Sequence, residues 1–101
     1  NDLMAMRGME MLEQMGLRIP EDISVAGYDN DENLVKYLKR PLTTVTLPYR
    51  EMGRVAVDRL FGARGPLDKA DAPTLVSGNV VERATVLNLS KAKRETTDAG
   101  A

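Results

Sequence analysis

A short apolar run in the first third of the chain dominates the pattern of hydrophobic and polar positions. Residues 23–28, with the sequence ISVAGY, are almost continuously apolar, and polar turn residues flank them at 20–22 and 29–31. A strand that is apolar at nearly every position is typical of a parallel sheet covered by helices on both faces. We therefore predict that residues 23–28 form a central, buried strand.

The segment before this strand has the periodicity of an amphipathic helix. Residues 3–15 place apolar side chains three and four positions apart, Asp2 is a suitable N-cap, and Gly16 stands where a helix normally ends. The predicted core stripe comprises Met4, Gly8, Met11, Leu12 and Met15. Met6 and Met9 lie at and beyond one edge of this stripe. They are interpreted either as ordinary core packing or as contacts with a helix of a partner subunit.

Helices and strands alternate along the rest of the chain. A short helix is predicted at 32–39, a strand at 42–47, an amphipathic helix from Pro48 to Leu60, and an extended segment at 74–83. This order favours an α/β fold with mainly parallel strands. Three strands make a thin sheet, whereas a complete doubly wound sheet has about five or six. Because the chain also begins without Met, we expect it to be a fragment of a larger protein.

Connections are marked by glycine, proline and polar residues. Residues 63–73 are predicted to form a loop, and Gly78 is predicted to mark a bulge or a close approach of two backbones. The end of the chain, 87–101, is mostly polar with small side chains. It is predicted to be a disordered tail.

Composition argues against catalytic and metal-dependent chemistry. The chain has neither Cys nor His, which removes disulfides, thiolate ligands, the commonest metal ligand and the commonest general base. Glycine-rich phosphate-binding motifs are absent from the sequence. The acidic residues Asp29, Asp31 and Glu32 lack the EF-hand spacing, and a turn with a helix cap explains them better than a cation. We therefore predict a non-enzyme with no catalytic residues, no metal and no cofactor.

Charge and hydropathy limit the partners that this chain can contact. The sequence has 14 basic and 15 acidic residues and a formal net charge of -1, which disfavours direct contact with nucleic acid. No apolar run approaches the roughly 18–20 residues of a membrane span. No signal-peptide pattern stands at the start.

Asp2 is the main candidate for a binding residue, and two interpretations of it remain open. A carboxylate at the beginning of a helix can simply accept hydrogen bonds from the first-turn N–H groups. In an open α/β sheet, however, the junction between a strand and the next helix faces the ligand crevice. Asp2 could there accept hydrogen bonds from a polar ligand.

Several motifs in their order and spacing resemble the lactose/galactose-repressor (LacI/GalR) family of bacterial transcription regulators. The resemblance covers roughly residues 1–86. Its pieces are NDLMAM with Gly8, GLRIPEDISVAGYDN at 16–30, PLTTV at 41–45, Met52-Gly53 in the following helix, and VVER at 80–83. The combination of PEDISVAGYD and PLTTV is much more specific than either motif alone.

The resemblance implies the C-terminal part of an effector-binding core that is similar to the class I periplasmic binding proteins. Such a core has two α/β subdomains with a sugar, nucleobase or similar small ligand between them. Residues 1–40 would belong to the C-terminal subdomain, 41–63 would cross to the N-terminal subdomain, and 64–86 would return. The two crossings would lie near Pro41-Leu42 and in the 63–73 loop.

The resemblance also implies site residues and partners. Asp2 matches a ligand-contacting Asp, Leu42 matches a position at the crevice mouth, and the helix with Met6 and Met9 matches a dimer-interface helix. The implied protein is a cytoplasmic homodimer that binds a small-molecule effector and reads operator DNA through a helix-turn-helix absent from this chain. The alternative is the C-terminal part of a periplasmic sugar-binding protein of a transporter, and what precedes Asn1 would distinguish the two.

Overall fold

The computed structural model describes residues 1–62 and 73–99, and it contains both helices and short strands. The elements in chain order are α1 Asp2–Gln14, α2 Glu32–Val35, β1 Thr44–Val45, α3 Tyr49–Leu60, β2 Val80–Val81 and α4 Leu89–Ala99. This mixture agrees with the predicted α/β class. The loop predicted at 63–73 lies, apart from Pro73, outside the described residues. Among the helices that are described, none is long and apolar enough to cross a membrane.

Helix α1 begins one residue earlier than predicted, and its N-cap is Asn1 rather than Asp2. The Asn1 side-chain oxygen accepts a hydrogen bond from the Met4 N–H at 2.9 Å. The predicted end is confirmed, because Gly16 adopts a φ of 84°. The Leu17 N–H then reaches back to the Leu12 carbonyl at 3.0 Å and closes the helix.

The core is small, and α1 turns a different face towards it from the predicted one. Met9, Ile19, Val35 and Leu42 form the buried cluster, with Ala5, Leu12, Val25 and Leu38 packed against it. Met4, Met11 and Met15, three members of the predicted stripe, are exposed by 64% or more. The error arose because methionines surround most of α1, so that a second stripe through Asp2, Ala5, Met9 and Leu12 has the same period.

The segment 23–28 is extended, but the prediction of a regular strand buried on both faces is wrong for this chain. It forms isolated parallel bridges, Ala26 with Thr43 and Asp29 with Thr46. At the beginning of the segment the Val25 N–H donates to the Thr85 carbonyl at 2.8 Å. Val25 packs against the core, whereas Tyr28 is 49% exposed. The pairing with 43–46 is parallel, as predicted, but too irregular to form a continuous ladder.

Residues 79–85 complete the small sheet by running antiparallel to 41–46. Strands β1 and β2 pair Thr44 with Val81 and Val45 with Val80. Gly78 lies directly against the Thr46 carbonyl oxygen, where a Cβ atom would collide with it. The predicted close approach at Gly78 is therefore confirmed.

Helix α3 is amphipathic as predicted, but its apolar face has no cover in the described part of the chain. None of its residues is buried. Tyr49 is 64% exposed, Leu60 is 74% exposed, and the following Phe61 is 85% exposed. An apolar surface of this kind is typical of a face that packs against another part of a larger domain.

The predicted disordered tail is wrong, because residues 89–99 form helix α4. The Asn88 side-chain oxygen caps this helix by accepting hydrogen bonds from the N–H groups of Ser90 and Lys91 at 3.0 and 3.2 Å. The sequence that follows the cap is rich in Lys, Ala, Arg and Glu, which have high helix propensity. Polarity alone therefore did not distinguish a solvated helix from a disordered segment.

A turn at 18–22 joins α1 to the extended segment and contains the clearest electrostatic pair. The Arg18 guanidinium donates two hydrogen bonds to the Asp22 carboxylate, each at 2.9 Å. The Arg18 backbone N–H donates a third at 2.8 Å. These bonds lower the pKa of Asp22 from 3.8 to about 2.

This pair predicts a loss of stability at acid pH. Because the folded-state pKa of Asp22 lies below the ordinary Asp value, its contribution is complete above about pH 4 and is lost as the pH falls through about 2. We expect NMR titration to give the Asp22 carboxyl a midpoint near the lower value. The Arg18→Met variant should raise that midpoint towards the ordinary Asp value. An ordinary midpoint in the unsubstituted protein would contradict this assignment.

Candidate ligand site at the 29–31 loop

The loop of residues 29–31, which follows the extended segment, has an unusual backbone. Asp29 has a φ of 121° and Asn30 a φ of 54°, values that are uncommon for residues with a side chain. Such conformations cost about 1–3 kcal/mol each and persist where the surroundings hold them in place. Backbone conformations of this kind cluster at ligand sites.

Asp2 supports the loop from the beginning of α1. Its side chain is 1% exposed. One carboxylate oxygen accepts a hydrogen bond from the Asp31 N–H at 2.7 Å, and the other accepts one from the Thr44 hydroxyl at 2.6 Å. The Asn30 N–H donates to the same Thr44 hydroxyl oxygen at 3.3 Å, and the Asp29 N–H donates to the Val45 carbonyl at 2.9 Å. The loop is therefore tied to both α1 and β1.

Arg83 supports the loop from the segment at 79–85, which runs antiparallel to 41–46. Its guanidinium donates to the side-chain oxygen of Asn30 at 2.7 Å and to the backbone carbonyl of Leu42 at 2.8 Å. The Arg83 backbone N–H donates to the Thr43 hydroxyl at 2.9 Å. One half-buried side chain thus joins the loop to the segment before β1.

The Asp29 carboxylate has no hydrogen-bond or ion-pair partner among residues 1–62 and 73–99, although the residue is half-buried. It stands at the carboxyl end of the parallel pair formed by 23–29 and 43–46. Ligands of open α/β sheets bind at this end of the strands. Asp29 can therefore accept hydrogen bonds from hydroxyl or N–H groups of a ligand.

Tyr28, the residue before the loop, also lines an open groove of about 430 Å³ between α3 and residues 74–76. The lining is largely apolar and includes Leu47 and Met52. Volumes of this order are typical of small-molecule pockets. The described residues contain no cluster of acidic side chains suited to hold a metal ion.

Asp2 and Leu42, the two ligand contacts predicted from the sequence, are buried rather than exposed on an open surface. Leu42 is fully buried in the core, and the Asp2 carboxylate is occupied by internal donors. Direct ligand contact by Asp2 or Leu42 stays a prediction, and the geometry favours a supporting role for both. Met9 is only 7% exposed and belongs to the core, whereas Met6 is half-buried. A contact of these methionines with a partner stays a prediction too.

Sequence reasoning missed Asp29, Asn30 and Arg83 as site residues. Asp29 and Asn30 were interpreted as ordinary turn and capping residues, which also tolerate positive φ. A signal was present, since an acidic residue directly after a predicted parallel strand lies at the ligand end of a sheet. No sequence feature indicated that Arg83 would reach Asn30, 53 positions away.

The Asp29 carboxylate stands at the carboxyl end of a parallel pair, and the neighbouring Tyr28 lines an open groove, an arrangement typical of α/β domains that bind small ligands. The comparisons with known proteins agree. Residues 1–86 match the family described as periplasmic binding protein-like domain. The chain belongs to this family.

The similar sequences are repressors. The HTH-type transcriptional repressor PurR of Aliivibrio fischeri (strain MJ11) is 43% identical over 91 residues, which are 90% of this chain and 27% of that protein. The PurR of Vibrio vulnificus (strain CMCP6) is 55% identical over 61 residues, which are 60% of this chain and 18% of that protein. The chain thus spans about a quarter of the length of the first of these relatives.

Solved structures of similar fold are also transcriptional regulators of the LacI type. The lac repressor dimer bound to operator and the anti-inducer ONPF superimposes with a TM-score of 0.71 at 34% identity, covering 87% of this chain and 30% of that one. A LacI family transcriptional regulator from Arthrobacter sp. FB24 in complex with lactose gives a TM-score of 0.67 at 36% identity, covering 86% and 33%. The resemblance to LacI/GalR regulators inferred from the sequence motifs is confirmed, and with it the α/β fold class.

Proposed function

We propose that this chain is a segment of the effector-binding core of a cytoplasmic, LacI-type transcriptional regulator. The observation that carries the proposal is its 43% identity over 91 residues to a protein named as a transcriptional repressor. The relative proteins are named repressors rather than enzymes, which supports a non-catalytic role. Operator DNA would be read by a helix-turn-helix outside this chain, since the chain itself has a net charge of -1.

The proposed effector is a small polar metabolite such as a sugar or nucleobase. It would approach the 29–31 loop, where the Asp29 carboxylate would accept hydrogen bonds and Tyr28 would offer an apolar ring. Asp2 and Leu42 would support this wall from behind. The effector would favour one relative orientation of two subdomains, with chain crossings near 41–42 and within 63–73, and so shift operator affinity.

Dimerisation belongs to the same proposal. The lac repressor to which this chain is similar was solved as a dimer. Helix α1 exposes Met4, Met11 and Met15 by 64% or more on one face, whereas the half-buried Met6 lies on the other side of the helix. Such an apolar helix face would suit a second copy. Sedimentation equilibrium of the whole regulator would test this, and a monomer at micromolar concentration would contradict it.

The alternative is a segment of a periplasmic sugar-binding protein of a transporter. It has the same type of domain, and the family description covers both kinds of protein. The repressor names of the relatives favour the regulator. The coding sequence upstream of Asn1 would decide between a helix-turn-helix and a signal peptide.

The central test is operator binding by the whole regulator with and without candidate effectors. A thermal-shift screen of sugars and nucleobases would first identify compounds that stabilise the protein. Fluorescence anisotropy would then measure operator affinity at saturating effector. We expect a change of about 5–150-fold in either direction, the usual range of allosteric coupling. The proposal would be contradicted if none of the stabilising compounds changed the operator affinity of the regulator.

Asp29→Asn tests the proposed ligand contact. We expect effector affinity to fall about 10–100-fold, because a hydrogen bond to a charged acceptor becomes one to a neutral amide. Stability should stay within about 0.5 kcal/mol, since Asn accepts positive φ as readily as Asp. Isothermal titration calorimetry and urea unfolding would measure the two quantities. Asp58→Asn, on the exposed surface of α3, is the matched control, and equal affinities for both variants would refute the contact.

A further inference from the structure

We propose that Arg83 is a positioning residue that sets the conformation of the 29–31 loop by joining it to the chain crossing at Leu42. This inference rests on the proposed function only in taking the loop as the ligand-facing wall. Arg83 itself lies behind the loop and would not touch the ligand.

The geometry of the guanidinium supports this role. Its two terminal nitrogens have different partners, the Asn30 side-chain oxygen at 2.7 Å and the Leu42 carbonyl at 2.8 Å. A rigid, planar group with two occupied arms fixes the separation of its partners more firmly than a single flexible contact. The loop cannot shift relative to the segment before β1 without breaking one of these bonds.

The backbone of Asn30 explains why such a support is needed. Its φ of 54° lies in the left-handed region, which Asn tolerates, whereas the φ of 121° at Asp29 is unfavourable. The Asn30 N–H bond to Thr44 is long, at 3.3 Å. The side-chain bond from Arg83, at 2.7 Å, is therefore the shorter of the two bonds that hold Asn30. Removing it should let residues 29 and 30 relax towards ordinary conformations and turn the Asp29 carboxylate away.

The position of Leu42 gives the contact a second consequence. Leu42 lies at the proposed crossing between subdomains, and its side chain is fully buried. A change in the path of the chain at this crossing would pull on Arg83 and hence on Asn30. The guanidinium would thus couple the orientation of the subdomains to the conformation of the 29–31 loop. Through such a coupling, ligand binding at one site changes the conformational equilibrium of a distant domain.

Hydrogen–deuterium exchange of the whole regulator provides a test that needs no ligand. We expect Arg83→Met to increase amide exchange selectively in peptides covering 28–34, with little change in the middle of α1. Arg83→Lys keeps the positive charge but loses the planar group that donates to two partners at once. It should increase amide exchange in the same peptides by a smaller amount. Thr85→Val is the structural control. It removes the acceptor of the Thr43 N–H, so it should raise exchange through the core without singling out the loop.

A double-mutant cycle tests whether Arg83 acts through Asn30. Asn30→Gly removes the side-chain acceptor while tolerating the positive φ. If the two residues form one unit, the loop exchange of the double variant should equal that of Arg83→Met alone. Additive increases, or an Arg83→Met profile that matches Thr85→Val, would overturn the proposal. Should Arg83→Met fail to fold, the same comparison is made with Arg83→Lys.

Ligand binding forms the second arm, with lactose as the probe because a similar regulator was solved in complex with it. We expect Arg83→Lys to weaken lactose binding about tenfold, the loss of one charge-assisted hydrogen bond. Unchanged lactose affinity together with altered loop exchange would overturn the link between the loop and the ligand. If the unsubstituted regulator binds no lactose, that result counts against a sugar effector, and the exchange arm decides the role of Arg83.

Discussion

Gly27→Ala is expected to destabilise the protein by about 3 kcal/mol, the upper part of the range for overpacking. A Cβ atom on Gly27 would collide with the Asp2 carboxylate and would lie 2.8 Å from the Leu42 side chain and 3.3 Å from the Asp2 Cα. Relief would require α1 to move away from the extended segment. That movement would break the Asp2 N–H bond to the Tyr28 carbonyl, now 3.1 Å long.

Gly8→Ala provides the matched control with the opposite sign. Gly8 lies in the middle of α1, and a Cβ there would meet nothing within 4 Å. Alanine should therefore stabilise the helix by about 0.5–1 kcal/mol. Urea unfolding of both variants measures the two changes. If the Gly27→Ala variant is as stable as the Gly8→Ala variant, that result would contradict the close packing of α1 against the extended segment 23–28.

Asp2→Ala is expected to cost about 3 kcal/mol of stability and to disturb the site as well. It leaves the Asp31 N–H and the Thr44 hydroxyl without their buried acceptor, and an unsatisfied buried donor costs about 1–3 kcal/mol. Because Asp31 belongs to the 29–31 loop, effector affinity should fall too. Urea unfolding and operator titration with effector measure these effects.

Three further substitutions separate the supporting role of Asp2 from direct ligand contact. Thr44→Val removes one donor to Asp2 and should also lower stability, whereas Thr44→Ser keeps the hydroxyl and should largely preserve it. Asp58→Ala, on the exposed face of α3, should change stability by less than about 1 kcal/mol. If Asp2→Ala abolishes effector response with no loss of stability, Asp2 contacts the ligand directly, as the resemblance to the family implied.

Local signals predicted the elements well and their packing less well. The ends of α1 and α3 followed from Gly16, Pro48 and the helical period, which depend on neighbouring residues alone. The buried face of α1 could not be predicted, because the exposed methionines at 4, 11 and 15 are as apolar as the buried Met9. Which stripe is buried depends on the partner, here Ile19, Val35 and Leu42, and the period of α1 carries no information about them.

The sequence predicted the turn at 29–31 but not its role as the candidate site, because the ligand contact was assigned to Asp2. The backbone angles of the turn depend on bonds from Asp2, Thr44 and Arg83, which lie far away in sequence. Asp2 was recognised as important because it begins a helix at a strand junction. Its burial, which argues for support rather than contact, required the three-dimensional structure.

The supports of the 29–31 loop also constrain how this protein can be recombined with its relatives. Asp2, Thr44 and Arg83 reach the loop across 29, 14 and 53 positions of sequence. A chimera that exchanges only the most recognisable stretch, residues 16–30, would import the loop without the residues that shape it. An exchange that spans Asn1 to Thr85 keeps the donors and acceptors of the loop together and is expected to preserve the shape of the loop. Shorter grafts should yield folded proteins that respond to neither parent's effector.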